Sequence, residues 1–297
     1  MMPGGFSFTR RKSFFLRYFF AAAFLSAGHL HAQDTLHLDS PSPVPASSQA
    51  RKIVATGAVG GILAGSLIGS YFDWWKDANE PFHLKDDGLF NNYSLGIDKV
   101  GHAYTSYFYF HTFRNVMEWG GYDQSTAFWW AAGTSAFFAV SIEIGDGFSP
   151  FGFSFGDLGF NLAGLGYGML QTRVPFLENI KLKWSYIPQD GYRWPPRFTD
   201  HYDAHIYWLT FNVHRLLPES LSGYWPECIQ LAIGYGVDDR QTRREAFIGL
   251  DLNLGIFRFT QPELRLLERT VDLFHLPMPG VKFTEGKRPQ YAPLLWN

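Results

Sequence analysis

The stretch SIEIGDGFSPFGFSFGDLGFNLAG, Ser141 to Gly164, decides how this chain folds. Its first residues end an apolar run that begins at Gln124, and Glu143 closes that run with Asp146 three residues on. Gly, Ser and Pro then interrupt the pattern, and Ser154 opens a new one with Asp157 at the [ST]-x-x-[DE] spacing of a helix capping box. Asp157 and Asn161 are four residues apart, with Gly164 and Gly168 continuing the same helical face. Glycines on that face admit another backbone, so Asp157 and Asn161 are expected to point into a bundle.

Working outward, four apolar stretches are each long enough for a helix: approximately Ile53 to Trp75, Asp98 to Trp119, Gln124 to Ile144 and Ser154 to Leu170. In the first, Gly57, Gly61, Gly65 and Gly69 recur every four residues along one stripe. A helical glycine costs about 1 kcal/mol relative to alanine, so the stripe predicts close packing against another helix. After Pro175 the segments shorten, and Lys181 to Tyr186, His205 to Val213, Ile229 to Tyr235 and Glu245 to Leu254 read as strands. In the last, Ala246, Ile248, Leu250, Leu252 and Leu254 alternate with Phe247, Gly249, Asp251 and Asn253, as in a strand with one wet face. Four or five strands are too few for a transmembrane barrel, which has eight or more. The expected class is α+β: a glycine-rich four-helix unit over 52–175, then a small antiparallel β-rich module over 176–297, packed on the helices or on a membrane surface.

Upstream, Arg10, Arg11 and Lys12 precede an apolar run from Tyr18 to Ala27 and small residues ending at Ala32, the pattern of a secretory signal peptide over 1–32. Residues 33–51, rich in Ser and Pro, read as a linker. The single cysteine, Cys228, permits no intramolecular disulfide and lies far from any lipidation site at the leader. Between the first two strands, Tyr192, Trp194 and Pro195 mark either an aromatic interface loop or a packed crossover.

A formal net charge of −2 supplies no basic field, and no nucleic-acid motif is present, so nucleic acid is set aside as a partner. With 18% aromatic residues, 30 glycines and 18% charged residues, the composition suits close helix packing and side chains at a membrane interface; an aromatic-rich soluble core is the other reading. If the first helix crossed the inner membrane, Arg51 and Lys52 would face the periplasm and the acidic 73–98 connection the cytoplasm, inverting the positive-inside rule. An outer-membrane or periplasm-facing placement is therefore expected. P-loop, dinucleotide, GxSxG and kinase signatures are absent.

The most informative feature is a sparse polar set on these helices. Asp98 and His102 share a face with Ser106, and Lys99 adjoins Asp98. Each member has a structural reading: Asp157 as a cap, Asp98 as a helix-start charge, His102 as a satisfied core histidine. Together they form a candidate site, because ionisable groups on apolar helices are costly unless paired. His102, Asp98, Glu143 and Asp157 are the candidate acid–base residues, and Lys99, Ser106, Asp146, Ser154 and Asn161 the candidate ligand contacts. A metal site of His102, Glu143 and Asp157 lacks HxxxH or HxxE support, so no metal or other cofactor is assigned.

In these motifs the chain resembles VanZ-like envelope proteins. The residues are DKVGH at 98–102, Glu143, and the series Asp157, Asn161, Gly164, Gly168. More closely, it resembles the family of uncharacterised periplasmic proteins that includes YfiM. The resemblance spans about Ile53 to Leu170 and implies a four-helix unit in the envelope, without supplying a reaction. It departs in lacking the lipoprotein cysteine of YfiM-type members and the Gln and Arg that follow the third-helix Glu in VanZ proteins, so antibiotic resistance is not carried over. Two functions are consistent with these residues. One is an envelope protein that binds a lipid or glycan headgroup, or holds its helices together, through the cluster while the β-rich module meets an envelope protein. The other is a membrane-surface hydrolase or transferase acting on a lipid-linked substrate.

Overall fold

A computed structural model describes residues 46–187 and 201–294. The signal peptide, most of the linker, and Tyr192, Trp194 and Pro195 lie outside the described residues. Four long helices come first: α1 (Ala46–Ser70), extended by a π-helical turn over Tyr71–Trp75, α2 (Ile97–Trp119), α3 (Gln124–Asp146) and α4 (Phe155–Gln171). Helical structure thus begins at Ala46, within the stretch read as a linker, because Ala46 to Arg51 contains no glycine or proline to stop it. Asp123 caps α3 by accepting from Thr126 N at 2.9 Å, and Ser154 caps α4. α2 is the central helix: Phe110, Phe113 and Met117 form a core with Ala127, Phe128 and Ala131 of α3, Leu165 of α4, and Ala55 and Val59 of α1.

The glycine stripe of α1 does not pack on another helix among the described residues. A Cβ added at Gly57, Gly61, Gly65 or Gly69 would meet nothing within 4 Å. Ala55, Val59 and Leu67 face the bundle instead. They are offset by two residues from the glycines, which is about 200° around a helix of 3.6 residues per turn, so the stripe points away. The close approach occurs on α4, where a Cβ at Gly164 would lie 1.8 Å from the Ala103 carbonyl oxygen and one at Gly168 would lie 2.9 Å from Phe110.

The six strands are β1 (Ile180–Tyr186), β2 (His205–Phe211), β3 (Ile229–Val237), β4 (Arg244–Leu252), β5 (Gly280–Thr284) and β6 (Gln290–Ala292), paired antiparallel in chain order. The last two exceed the four or five expected. They follow a further helix, α5 (Pro262–Val271), and are only five and three residues long, too short to show periodicity. The sheet packs on α2: Tyr104 donates to the Leu273 carbonyl at 2.7 Å, and Trp184 and Tyr207 stack around Tyr104.

Hydropathy misassigns the faces of β4. Glu245, Phe247, Gly249 and Asp251 are buried, while Ile248, aligned with Ile233 of β3, is 49% exposed. The buried charges are matched: Lys183 Nζ lies 2.7 Å from Asp251 and 2.6 Å from Asp272, and Lys282 lies 2.6 Å from Glu245. Residues 272–276 lie over this face, with His275 stacked on Trp208 at 3.9 Å. Asp238, in the turn between β3 and β4, is buried and accepts from Thr242 N and Arg243 N.

Two consequences are measurable. Gly61→Leu with Gly65→Leu should change the melting temperature by no more than about 2 °C, as exposed substitutions do, whereas Gly164→Ala should lower it by about 5 °C or more. A large loss from the α1 pair would contradict the orientation of that helix.

Burial lowers His275 to about 4, and burial with the Arg114 charge lowers His111 to about 3. The His275 Nε2–H donates to the Leu250 carbonyl, and Nδ1 has no hydrogen-bond partner among the described residues, so a second proton would be buried unsatisfied. A histidine with a depressed folded pKa stabilises above its free value of about 6.5, and that contribution is lost as pH falls towards the folded value. His275→Phe should therefore flatten the decline in melting temperature between about pH 6.5 and pH 4; an unchanged decline would exclude His275 from it.

Candidate functional site

The site lies where α2 begins, α3 ends and α4 begins. Gly96 starts α2 with φ +85°, and a Cβ there would collide with the Phe90 ring at 2.4 Å, so this turn requires glycine. Its N–H donates to Asn92 Oδ1. From the first turns of α2, Asp98, Lys99 and His102 project towards Glu143 on α3 and Asp157 and Asn161 on α4.

Lys99 is fully buried, with Nζ 2.8 Å from Asp87, 2.6 Å from Asp157 and 3.5 Å from Asp98. His102 Nδ1 lies 3.1 Å from Asn161 Nδ2 and 3.6 Å from Glu143 Oε1. Its Nε2 lies 3.7 Å from both Asp98 Oδ1 and Asp157 Oδ1. Asn161 is fixed from both ends, accepting from Ser106 at 2.9 Å and donating to Glu143 at 3.1 Å. Ser154 Oγ accepts from Asp157 N, while the Ser154 N–H donates to Glu143 Oε2 rather than completing a reciprocal box. Asp146, at the margin, accepts from Trp75 Nε1 at 2.7 Å.

Eight of the nine residues singled out in the sequence are thus joined by these contacts, and Asp146, bonded to Trp75, is coupled to them through charge alone. Two members were missed. Asp87 was visible only as one of several acids in the 73–98 connection, and Tyr202, which donates to Asp98 Oδ1 at 3.1 Å, carries no local signal.

Burial pushes Glu143 up to about 8 and Asp146 up to about 6. Burial would lower His102, but Asp98, Asp157, Glu143 and Asp146 outweigh it and raise its pKa. Lys99 is likewise raised, its burial outweighed by Asp157 and Asp87. The cluster is closed at the rear and open at the front: side-chain exposure is 0% for Lys99 and 1% for Glu143, but 16% for Asp98, 19% for His102 and 12% for Asp157. Around it, the 76–97 and 147–154 connections pair through His83, Gly147, Lys85 and Phe153 backbones. They leave Phe82, Leu89, Phe90, Phe148, Phe151 and Phe155 exposed as an apolar rim.

A family model described as "Predicted periplasmic lipoprotein (DUF2279)" matches residues 86–173, the span that carries the cluster. No curated protein and no solved structure matches the chain. The protein is exported, and periplasmic or membrane-associated. Its cysteine, Cys228, immediately precedes β3.

Removing Lys99 leaves buried carboxylates without their counter-charge. Lys99→Met should lower stability by about 3–5 kcal/mol in urea unfolding, and adding Asp157→Asn should recover part of that loss. Equal stability of Lys99→Met and wild type would show that the pairing is dispensable.

Proposed function

We propose that this protein is a VanZ-like, YfiM-type binding protein of the bacterial envelope that works at a membrane surface. In this reading the His102 cluster receives the polar headgroup of a membrane lipid or lipid-linked glycan. The observation that carries it is the set of exposed apolar side chains on the two connections that flank the partly open polar cluster, Phe82, Leu89 and Phe90 on one and Phe148 and Phe151 on the other. Contiguous exposed apolar surface marks interaction sites, and aromatic rings favour the bilayer interface. An amphiphile fits both features, its apolar part on the rim and its head on Asp98, His102 and Asp157.

The outward face of α1 supports the same placement. Ile53, Val54, Ile62, Ile68 and Phe72 are exposed beside the bare glycine stripe, a surface suited to lie against a bilayer. α1 and α3 are both long and apolar enough to cross a membrane, but half of α3's most apolar window is buried in the bundle, whereas only 17% of α1's is. The exposed row Ile233 and Ile248 on the sheet is where an envelope protein partner would meet the module.

Flotation with phosphatidylethanolamine–phosphatidylglycerol vesicles tests the reading, together with mass spectrometry of lipid retained by the purified signal-cleaved protein. Phe148→Ser with Phe155→Ser should reduce flotation at least fivefold. His102→Ala should leave flotation intact and reduce retained lipid at least fivefold. Absence of both flotation and retained lipid in the wild type would sink the reading.

A further inference from the structure

The front edge of the cluster has an arrangement that headgroup binding does not require. His102 Nε2, Asp98 and Asp157 offer one donor atom each, all within 4.8 Å of one another. Nε2 stands 3.7 Å from Asp98 Oδ1 and from Asp157 Oδ1, too far for a hydrogen bond, and has no other hydrogen-bond partner among the described residues. Two donors held about 2.1 Å from one ion at a tetrahedral angle would be about 3.4 Å apart, so the two Nε2–oxygen spacings of 3.7 Å need a closure of only a few tenths of an ångström.

The surroundings match a metal's needs. The other ring nitrogen, Nδ1, lies 3.1 Å from Asn161 Nδ2, which as placed donates to it; ligation through Nε2 requires the Asn161 amide to turn so that its oxygen accepts from Nδ1–H, the role that outer partners of metal-ligating histidines play. Tyr202 donates to Asp98 Oδ1 and so holds that carboxylate. Formal charge is also short on the cationic side: three carboxylates, Asp87, Asp98 and Asp157, gather around the single Lys99 ammonium, and a divalent ion would add positive charge there. The partial exposure of the three candidate ligands gives the ion an entry path and leaves a coordination position open.

We propose that Asp98, His102 and Asp157 form a divalent transition-metal site of the zinc class, with Asn161 and Tyr202 as positioning residues. One imidazole nitrogen with two carboxylates suits such an ion better than magnesium or calcium, which favour all-oxygen shells. The inference extends the headgroup reading, since the open position is where a headgroup oxygen would bind, but its test is separate.

Titration calorimetry of the chelator-stripped, signal-cleaved protein with Zn2+ alone should show one saturable equivalent of micromolar or tighter affinity. Mg2+ should bind at least a hundredfold more weakly. His102→Ala should abolish the uptake and Asp98→Asn weaken it at least tenfold, while His275→Phe, at the distant Trp208 stack, should match wild type. Co2+ should give visible absorption bands in wild type that are lost in His102→Ala. If His102→Ala does not fold, the isosteric Asp98→Asn carries the comparison. No saturable uptake by wild type, or uptake unchanged in folded His102→Ala or Asp98→Asn, overturns the site and leaves the vesicle experiments to stand or fall on their own.

Discussion

A lysine ammonium removed wholly from solvent must be surrounded by anionic oxygens, and Lys99 draws them from three parts of the chain. Asp98 is its neighbour on α2, Asp157 comes from the first turn of α4, and Asp87 from the long connection after α1. Desolvation of one such ion costs several kcal/mol, so the pairing is satisfied only when all three segments are in register. That register sets the depth at which α4 crosses α2, where Gly164 rests on the Ala103 carbonyl. It also anchors the connection that carries Phe82, Leu89 and Phe90 to the mouth of the cluster. The site and the top of the bundle are therefore one structural unit.

His102 sits at the boundary between the rigid part of this network and the part open to solvent. Behind it, Asn161 and Glu143 are buried and mutually bonded, and Ser106 fixes the amide. In front of it, two carboxylate oxygens face Nε2 without touching it. Asp157 Oδ1 is also drawn by Lys99 at 2.6 Å, and Asp98 Oδ1 accepts from Tyr202, so the open side of the imidazole is ordered by charge and hydrogen bonding from other segments.

The sheet shows the same principle in a different setting. Its buried face carries Lys183, Asp251, Glu245 and Lys282, paired among themselves and with Asp272 of the covering residues 272–276, while apolar side chains occupy the opposite face. Part of that apolar face is covered by Tyr104 of α2, and the remainder, around Ile233 and Ile248, stays bare. Together with the uncovered side of α1, this gives the protein more than one exposed apolar surface.

The sequence by itself determined the order of the four long helices and the first four strands, and most of the cluster's membership. Helical periodicity over four long stretches and same-face spacing of Asp98 with His102 and of Asp157 with Asn161 are local properties, readable without knowing what each helix meets. It was silent wherever the answer depended on which face finds a partner. The glycines of α1 share the spacing of those on α4, yet only Gly164 and Gly168 face another helix, because Ala55, Val59 and Leu67 give α1 a better apolar stripe on its other side. The wet-looking face of β4 is buried because Lys183 and Lys282, distant in sequence, neutralise its acids. Asp87 and Tyr202 reach the cluster through connections whose path no periodicity encodes. Local spacing fixes which side chains can act together; pairing of charge and apolar surface across the folded chain decides which of them do.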